Sequence, residues 1–372
     1  MERKQKLYQF WLHNLPDVGD AAIRRLLAAF GDAKSVYGAS EKQLSQILKK
    51  ETAEKIKVFS GWWNMEKAYE NMRKKKIAFL TVDDKGYPER LRRLDKPPYA
   101  IYCMGKLPGE EKPAVAVIGA RECSEYGKYV AESFAGRLAE AGVAVVSGMA
   151  RGIDGIAQQV ALERGGKTYA VLGCGVDVCY PSSNILLYDS ILETGGGILS
   201  IFPPGTQPMK RMFPERNRIV AGLSDILLVV EARQKSGTWI TVDMALEQGK
   251  NVYAVPGRLT DRLSDGCNLL IRQGAGIALS PEDILAELKV LENRREIAMP
   301  ERETEGILSV LDFTPKSVDQ ILAELRYRGK EAELGTAMEE LIRLCLEGKA
   351  IQTAGSFMRS MDGIAGDKER GN

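Results

Sequence analysis

The chain has 372 residues, of which 44% are hydrophobic and 27% charged, which is enough for two or three domains that each bury a core. No apolar run approaches the roughly 18 residues of a membrane helix, and residues 1–6 lack the apolar core of a secretion signal, so we expect a cytoplasmic protein without membrane contact. The net charge of +2 is spread unevenly, with 22 Lys and Arg against 14 Asp and Glu in residues 1–110, 20 against 22 in residues 111–300, and 8 against 11 in residues 301–359, so a strongly acidic ligand would favour the first segment or local basic loops of the second.

Residues 1–105 are predicted to form a helical N-terminal domain. One helical face carries four apolar residues, Ile23, Leu26, Leu27 and Phe30. Gly19, just before them, tolerates the left-handed geometry of a hairpin, and Ser40 is a predicted N-cap of a further helix. This order resembles a helix-hairpin-helix (SAM-like) unit, which can hold a phosphate through backbone N–H groups. Small helical domains are equally often protein-binding or purely structural, so these interpretations stay open.

Residues 112–290 alternate short apolar runs with helical stretches. The predicted strands are Ala114–Ile118, Val143–Val146, Thr168–Leu172, Ile198–Ile201, Ile226–Val230 and Val252–Val255. Most of these runs are unbroken, as is typical of strands that are covered on both faces. The pattern predicts an α/β fold with a doubly wound, Rossmann-like parallel sheet, in which the loops that follow the strands gather at one edge.

The last part of the chain predicts a small separate domain. Residues 291–303 are charged and are interpreted as a linker. Three short helices (Ile307–Leu311, Val318–Leu325 and Met338–Leu346) precede a segment from Ala350 to Met358 with Gly355 as its turn. Three helices followed by a hairpin predict a winged-helix domain over residues 304–359. Residues 360–372 are predicted to be a disordered tail.

The loops after the central strands are rich in glycine, hydroxyl and basic residues. Glycine N–H groups beside helix N-termini bind anions, and arginine adds charge in a planar fork. Several phosphates in a row would suit this set, a single nucleotide would suit part of it, and many of these residues alternatively cap helices. The candidate residues for contact with such a row of phosphates, as on a nucleic-acid strand, are Gly119, Arg121, Ser124, Gly127, Ser147, Gly148, Arg151, Gly152, Lys210, Arg211, Phe213, Arg216, Asn217, Arg218, Ser236, Gly237 and Thr238.

Enzyme motifs are incomplete in this sequence. No G-x-G-x-x-G opens the first central helix, and residues 161–168 miss a Walker A motif by one residue while leading from a helix into a strand. The only histidine, His13, lies in an apolar segment, which favours a core or surface role and excludes triads or metal sites that need a histidine elsewhere. The six cysteines form no C-x-x-C pair and are interpreted as reduced thiols. We therefore predict neither a metal nor a cofactor.

Four segments of the central domain carry a family resemblance. Residues 147–154 (SGMARGID) resemble the motif S-G-x-A-R-G-I-D, and residues 213–219 (FPERNRI) resemble F-P-x-R-N-R-I, both typical of the bacterial DNA-processing (DprA/Smf) family. Residues 255–257 (VPG) and 266–271 (GCNLLI) continue the match. The resemblance covers the whole central domain, and the outlines of both flanking domains fit the family.

The resemblance implies a homodimer that binds single-stranded DNA without catalysis and helps to load the RecA recombinase during natural transformation. DNA contacts would fall on the Gly119–Arg121 loop, on the Lys210–Arg218 loop and on neighbouring donors. The chain departs from the family at Ala120, Gln158 and Ile201, where serine, histidine and glutamate are frequent. The missing hydroxyl at position 120 is expected to weaken phosphate binding modestly, and the other two departures put a polar pocket of the family in doubt.

Two alternatives remain from the sequence. The related lysine-decarboxylase-like fold includes nucleotide-processing hydrolases, for which Glu231 is the one candidate acid after a strand. An adaptor that works only through its helical and winged domains is the other. The absence of a glutamate at position 201 and of any central histidine favours binding over catalysis.

Overall fold

The structure is a computed structural model that describes residues 2–290, 306–330, 332–353 and 355–360. The predicted linker over 291–303 and all of the predicted tail except Ser360 lie outside the described residues. The chain divides into two compact units, one formed by residues 1–123 and 130–290 and the other by residues 124–129 and 291–372. No helix within the described ranges is long and apolar enough to cross a membrane.

The helices and strands follow one another along the chain as listed here. The helices are α1 (Glu2–His13), α2 (Asp20–Phe30), α3 (Ala33–Gly38), α4 (Glu41–Leu44), α5 (Lys50–Trp62), α6 (Met65–Lys74), α7 (Glu89–Arg92), α8 (Glu125–Glu140), α9 (Ile153–Glu163), α10 (Ile185–Glu193), α11 (Met212–Leu223), α12 (Thr238–Glu247), α13 (Asp265–Arg272), α14 (Pro281–Glu287), α15 (Val318–Tyr327) and α16 (Leu334–Leu346). The strands are β1 (Ala78–Thr81), β2 (Ala100–Gly105), β3 (Ala114–Ile118), β4 (Ala144–Ser147), β5 (Thr168–Val171), β6 (Gly197–Ser200), β7 (Ile226–Val229), β8 (Asn251–Ala254), β9 (Gly276–Ile277), β10 (Ala350–Thr353) and β11 (Ser356–Arg359).

A nine-stranded sheet organises the first unit, in the order β1-β2-β6-β5-β4-β3-β7-β8-β9. All neighbouring pairs from β6 to β9 in that order are parallel, and β2 is antiparallel to both β1 and β6. Because the chain winds outward from β3 in both directions, the predicted doubly wound parallel sheet is confirmed. The six predicted strands are β3 to β8, each within one residue of its predicted limits.

The prediction of helices as far as residue 105 is wrong for its last part. Residues 78–81 and 100–105 are the strands β1 and β2, and β2 pairs with β6 from the central part of the chain. A strand of four residues carries too little periodicity to be told from a helical turn, and the pairing of β2 with β6 is a long-range contact. The domain boundary near residue 105 stays a prediction, although β1 and β2 belong to the same sheet as the central strands.

The sheet separates two apolar cores. Ala170 of β5 belongs to one core and its neighbour Val171 to the other, because successive side chains point to opposite faces of a strand. Helices α1 to α6 close the first core around the buried side chains of Phe10, Trp11 and Tyr102. The fold therefore covers the sheet on both faces, which explains why its strands are unbroken apolar runs.

His13 is part of the first core, as its apolar surroundings predict. Its side chain is buried, and its Nδ1 lies 3.0 Å from the Tyr102 hydroxyl. Burial lowers the pKa of His13 to about 4, because the charged imidazolium would lose its hydration. The imidazole is therefore neutral near pH 7.

The turn between α1 and α2 differs from its prediction. Gly19 has φ −91°, an ordinary extended conformation, and the residue with positive φ is Asp17, at 58°. Aspartate adopts the left-handed backbone conformation more readily than most other residues, because its side chain can hydrogen-bond to the nearby backbone. Asp20 in the first turn of α2 places a second carboxylate at this helix N-terminus, which makes phosphate contact there less favourable. Ser40 is confirmed as an N-cap, with Gln43 completing a capping box.

The second unit contains the predicted sequence of short elements. A 3-10 turn at Ile307–Ser309 is followed by α15, α16 and the hairpin β10–β11. Gly355 lies in the hairpin turn with φ +79°. Leu341 and Phe357 are fully buried in the core of this unit. Its assignment as a winged helix stays a prediction.

Candidate functional site

The sheet has a topological switch point between β3 and β7, where the chain leaves two adjacent parallel strands in opposite directions. Ligands of doubly wound sheets bind in the crevice outside such a point. The loops after these strands touch, because a Cβ on Gly119 would lie 3.0 Å from the Glu231 carbonyl oxygen and 2.7 Å from Ile153 Cγ1. Glycine at position 119 therefore allows the loops to close on each other.

The loop after β4 packs against the loop after β3. Gly152 has φ +72°, and a Cβ there would lie 2.3 Å from the Ala120 carbonyl oxygen. The Ile153 N–H donates to that same oxygen at 3.2 Å, and the Asn184 side chain donates to the Met149 carbonyl at 3.0 Å. Arg121 and Arg151 both stand exposed on these two loops. The structure therefore brings two predicted basic residues to one edge of the sheet.

Arg216 does not lie where the sequence predicts. It is buried, and its Nη1 donates to the carbonyl oxygens of Gly148 at 2.6 Å and Val171 at 2.9 Å. Burial lowers the pKa of the Arg216 guanidinium, and the charge of the buried Asp154 opposes that shift. The Arg216 Nη1 already serves the protein, so the buried position of Arg216 does not suit a direct phosphate contact, and its predicted role in DNA binding stays a prediction.

Gly148 is explained by Arg216. A Cβ at position 148 would lie 1.7 Å from Arg216 Nη1, so the guanidinium occupies the space that any larger residue would need. The Gly148 N–H donates to Asp154 Oδ2 at 3.2 Å. Burial raises the pKa of the Asp154 carboxyl, while the charge of Arg216 and the hydrogen bond from the Gly148 N–H oppose that rise. Glycine is therefore required at position 148 by the packing of Arg216, whether or not a ligand also approaches it.

The ring of Phe213 is near both an exposed and a buried arginine. The guanidinium carbons of exposed Arg121 and buried Arg216 each lie 5.8 Å from the centre of its ring. The Tyr180 ring lies 5.8 Å away at an interplanar angle of 39°. On another side Phe213 packs on Gly173, where a Cβ would lie 3.0 Å from its ring. Phe213 is half-buried, so it is both an anchor and a partly open ring.

The sequence predicts that residues 210–218 form one basic loop, and this prediction is wrong. Helix α11 begins at Met212, so Lys210 and Arg211 precede it and are exposed, whereas Arg218 lies further along it. Pro214 obscured this helix, although proline fits the first turn, where no backbone donor is needed. The Arg218 guanidinium donates to the Lys96 carbonyl, which ties it to another part of the fold.

Other predicted site residues have structural partners. The Ser147 hydroxyl is buried and donates to the Val117 carbonyl at 2.7 Å, so it serves the protein interior and its contact with DNA stays a prediction. Ser124 Oγ accepts from the buried Gly127 N–H at 3.0 Å and so caps the start of α8. Asn217 is half-buried on α11.

The loop after β7 keeps its predicted donors beside a helix N-terminus. Gly237 is exposed and Thr238 begins α12, and a Cβ on Gly237 would meet nothing within 4 Å. The Ser236 Oγ is buried and has no hydrogen-bond partner in the structure. These three residues lie after β7, on the other side of the switch point from Arg121.

The departures from the family pattern do not share one pocket. Gln158 is buried and donates to Thr168 Oγ1 at 3.1 Å, at the amino end of β5. Ile201 follows the carboxyl end of β6 and belongs to an apolar core. Because β5 and β6 are parallel neighbours, Gln158 and Ile201 lie at opposite ends of these strands and do not line one pocket together.

Two features of the site were not predicted. Tyr180 is 42% exposed beside Phe213, yet no spacing in the sequence separates it from other loop residues. Lys75 forms an ion pair of 2.7 Å with Asp177 in the loop after β5, which fixes that loop to α6. No group of three or more His, Cys, Asp or Glu side chains in the described ranges is arranged to hold a metal ion.

Comparison with known proteins agrees with this architecture. Residues 78–289 match the family model of DNA recombination-mediator protein A. The chain is 40% identical to DNA processing protein DprA of Streptococcus pneumoniae over 228 residues, covering 61% of this chain and 80% of that protein. It is 41% identical to protein Smf of Escherichia coli over 210 residues, covering 56% of each.

Solved structures show the same similarity. The crystal structure of DprA from Streptococcus pneumoniae superposes with a TM-score of 0.66 at 34% identity, covering 76% of this chain and 97% of that one. DNA processing protein A from Helicobacter pylori, studied for its single-stranded DNA binding mode, superposes with a TM-score of 0.50 at 31% identity, covering 57% of this chain and 96% of that one.

Proposed function

Because the chain belongs to the DNA recombination-mediator protein A (DprA/Smf) family, we propose that it binds single-stranded DNA at the switch point of its sheet. The observation that carries this proposal is a set of four exposed basic residues on the loops after β3, β4 and β6, one of which, Arg121, lies over the ring of Phe213. The exposed basic residues are Arg121, Arg151, Lys210 and Arg211, and the ring of Phe213 lies beside that of Tyr180. Cationic side chains neutralise phosphates, and partly open rings accept bases that only an unpaired strand presents.

The same site argues for binding without chemical change. Asp154 and Glu231, the carboxylates that follow β4 and β7, are both buried. His13 is buried against Tyr102, in the core closed by α1 to α6. A nucleotide hydrolase would need an acid or base within reach of its substrate, and these groups are enclosed by protein. The hydrolase alternative therefore has no geometric support from these residues.

The wider role follows from the family. We propose that the bound strand is passed to the RecA recombinase during DNA uptake and natural transformation, and that the protein acts as a homodimer. Strand β9 lies at one edge of the nine-stranded sheet. Residues 269–271 near this edge are apolar, but they form no open patch, because Leu270 is buried and Ile271 packs on a core. Ile277 and Leu279 are exposed beside that edge instead, and we propose them as the dimer contact.

The proposal is tested with matched oligonucleotides. Labelled single strands and duplexes of the same mixed sequence are titrated with the protein, and nucleotide hydrolysis is measured on the same preparation. We expect tighter binding of the single strand and no hydrolysis above the buffer rate. Equal affinity for both forms would overturn the single-strand assignment, and hydrolysis that is lost with Glu231→Gln would favour the enzyme.

A further inference from the structure

Arg216 joins three parts of the site that are distant in sequence. Its guanidinium, carried by α11, binds the carbonyl of Gly148 just after β4 and the carbonyl of Val171, the last residue of β5. Strands β4 and β5 are parallel neighbours, so a single nitrogen, Nη1, bridges the carboxyl ends of two adjacent strands. The first part of α11 is thereby fixed against the edge of the sheet.

Phe213 lies three residues before Arg216, on the same helix. Residues three apart on a helix are neighbours on its surface, and here the guanidinium carbon lies 5.8 Å from the ring centre. The ring also packs on Gly173, which follows β5. Arg216 therefore supports Phe213 from the inside of the protein, while exposed Arg121 lies over the same ring from the loop after β3.

A charged residue at this position is costly and needs a reason. Arg216 is buried, and its Nε has no hydrogen-bond partner in the structure. Burial lowers the pKa of the Arg216 guanidinium, and the nearby buried Asp154, which accepts from the Gly148 N–H, opposes that shift. Burying two opposite charges adds little stability. The presence of an arginine here is therefore better explained by the fixed planar geometry of its guanidinium group.

We infer that Arg216 is a positioning residue for DNA binding, which holds Phe213 where it meets the bases and contacts no phosphate itself. This inference rests on the proposed function. It predicts that the contribution of Arg216 to affinity passes through a base contact, whereas that of exposed Arg211 passes through a phosphate. The two arginines, five residues apart, are therefore expected to differ in salt dependence and in their response to a strand without bases.

The test compares Arg216→Lys with Arg211→Ala and Phe213→Ala on a normal and an abasic single strand. Lysine keeps the charge and loses the fork, so we expect at least about tenfold weaker binding of the normal strand. The salt slope should stay close to that of the wild type, because no phosphate contact is lost. The preference for the normal strand over the abasic strand should fall, as in Phe213→Ala. Arg211→Ala should instead lower the slope by about 0.7 and keep that preference.

A second variant guards against misfolding of the first. Asp154→Asn combined with Arg216→Met removes both buried charges together, so no carboxylate is left uncompensated. Circular dichroism and thermal unfolding show which variant is folded, and the same titrations are made with it. A slope lowered by about 0.7 with the base preference intact would make Arg216 a phosphate contact and overturn the inference. Binding of the normal strand at wild-type affinity by a folded variant would overturn it as well. Failure of the wild type to bind single strands would instead overturn the proposed function.

Discussion

Gly148 and Arg216 compete for one small volume at the edge of the sheet. Adding a Cβ at position 148 would place it 1.7 Å from Arg216 Nη1, a guanidinium held by two carbonyl oxygens. We expect Gly148→Ala to lower the free energy of unfolding by about 1–3 kcal/mol, as overpacked sites do, and to weaken single-strand binding. Denaturant unfolding and strand titration measure the two effects.

The matched control for this substitution is Gly61→Ala. Gly61 lies in α5, and a Cβ there would meet nothing within 4 Å. Alanine should raise the free energy of unfolding by up to about 1 kcal/mol, since glycine is a poor helix residue, and leave binding unchanged. If Gly148→Ala behaved like this control, the packing explanation of Gly148 would be wrong.

His13 makes stability depend on pH in a way that one residue can test. Burial lowers its pKa to about 4, whereas an unfolded histidine titrates near 6.5. Between these values the unfolded chain binds the extra proton, so stability is greatest above pH 6.5 and falls as the pH falls toward 4. We expect a loss of about 2 kcal/mol between pH 7 and pH 5, measured by urea unfolding.

The sequence contains no other histidine, so His13→Gln is a clean control. This variant should lose the part of the pH dependence between pH 7 and pH 5 that falls in the direction expected for His13, since ordinary carboxylates titrate below that range and a carboxyl with a raised pKa, such as Asp154, acts in the opposite direction. An unchanged pH dependence in His13→Gln would show that another group is responsible.

At the scale of elements, the sequence predicts the central sheet well and its margins poorly. Strands β3 to β8 are unbroken apolar runs between helices, and all six are found within one residue of their predicted limits. Strands β1 and β9 lie at the two edges of the sheet; β9 has only two residues, and β1 was missed because it follows a long helical stretch. Strand β2 was missed because its pairing with β6 joins distant parts of the chain.

The candidate site shows the same division. Loop positions follow from the strands, so exposed Arg121 and Arg151 were placed at the correct edge. Whether a side chain in the site is buried cannot be predicted from its residue type. For this reason the buried residues Ser147 and Arg216 were predicted to contact DNA. Helix α11 was missed because Pro214 in its first turn resembles a loop signal.

The elements of the second unit give a prediction about DNA. Residues 301–359 carry 8 Lys and Arg against 11 Asp and Glu, whereas a groove-binding domain needs a basic face. In α16 the exposed side chains include Leu334, Ile342 and Leu346, which suit a protein partner better than phosphates. Deletion of residues 304–372 should therefore leave single-strand affinity within about threefold, measured by fluorescence anisotropy. A loss as large as that of Arg211→Ala would contradict this assignment.

At the scale of the whole molecule, the proposed dimer is tested at the edge of the sheet formed by β9. Leu279 is 73% exposed next to this edge strand, and unpaired strand edges favour association with another chain. We expect Leu279→Glu to convert a dimer into a monomer at micromolar concentration, as seen by light scattering. Val58→Glu, at an exposed position of α5, is the control and should remain dimeric. A monomeric wild type would contradict the proposed dimer.

The salt dependence of single-strand binding tests the central claim most directly. If exposed arginines around the switch point neutralise phosphates, affinity falls with salt by about 0.7 log units per log unit of salt for each phosphate contact. The measurement is a salt titration on a mixed-sequence single strand of about 50 nucleotides, with wild type and the double variant Arg121→Ala and Arg211→Ala. We predict weaker binding of all sequences and a slope reduced by about 1.4 in the double variant. An unchanged slope would contradict the account, because it would place the phosphates elsewhere on the protein.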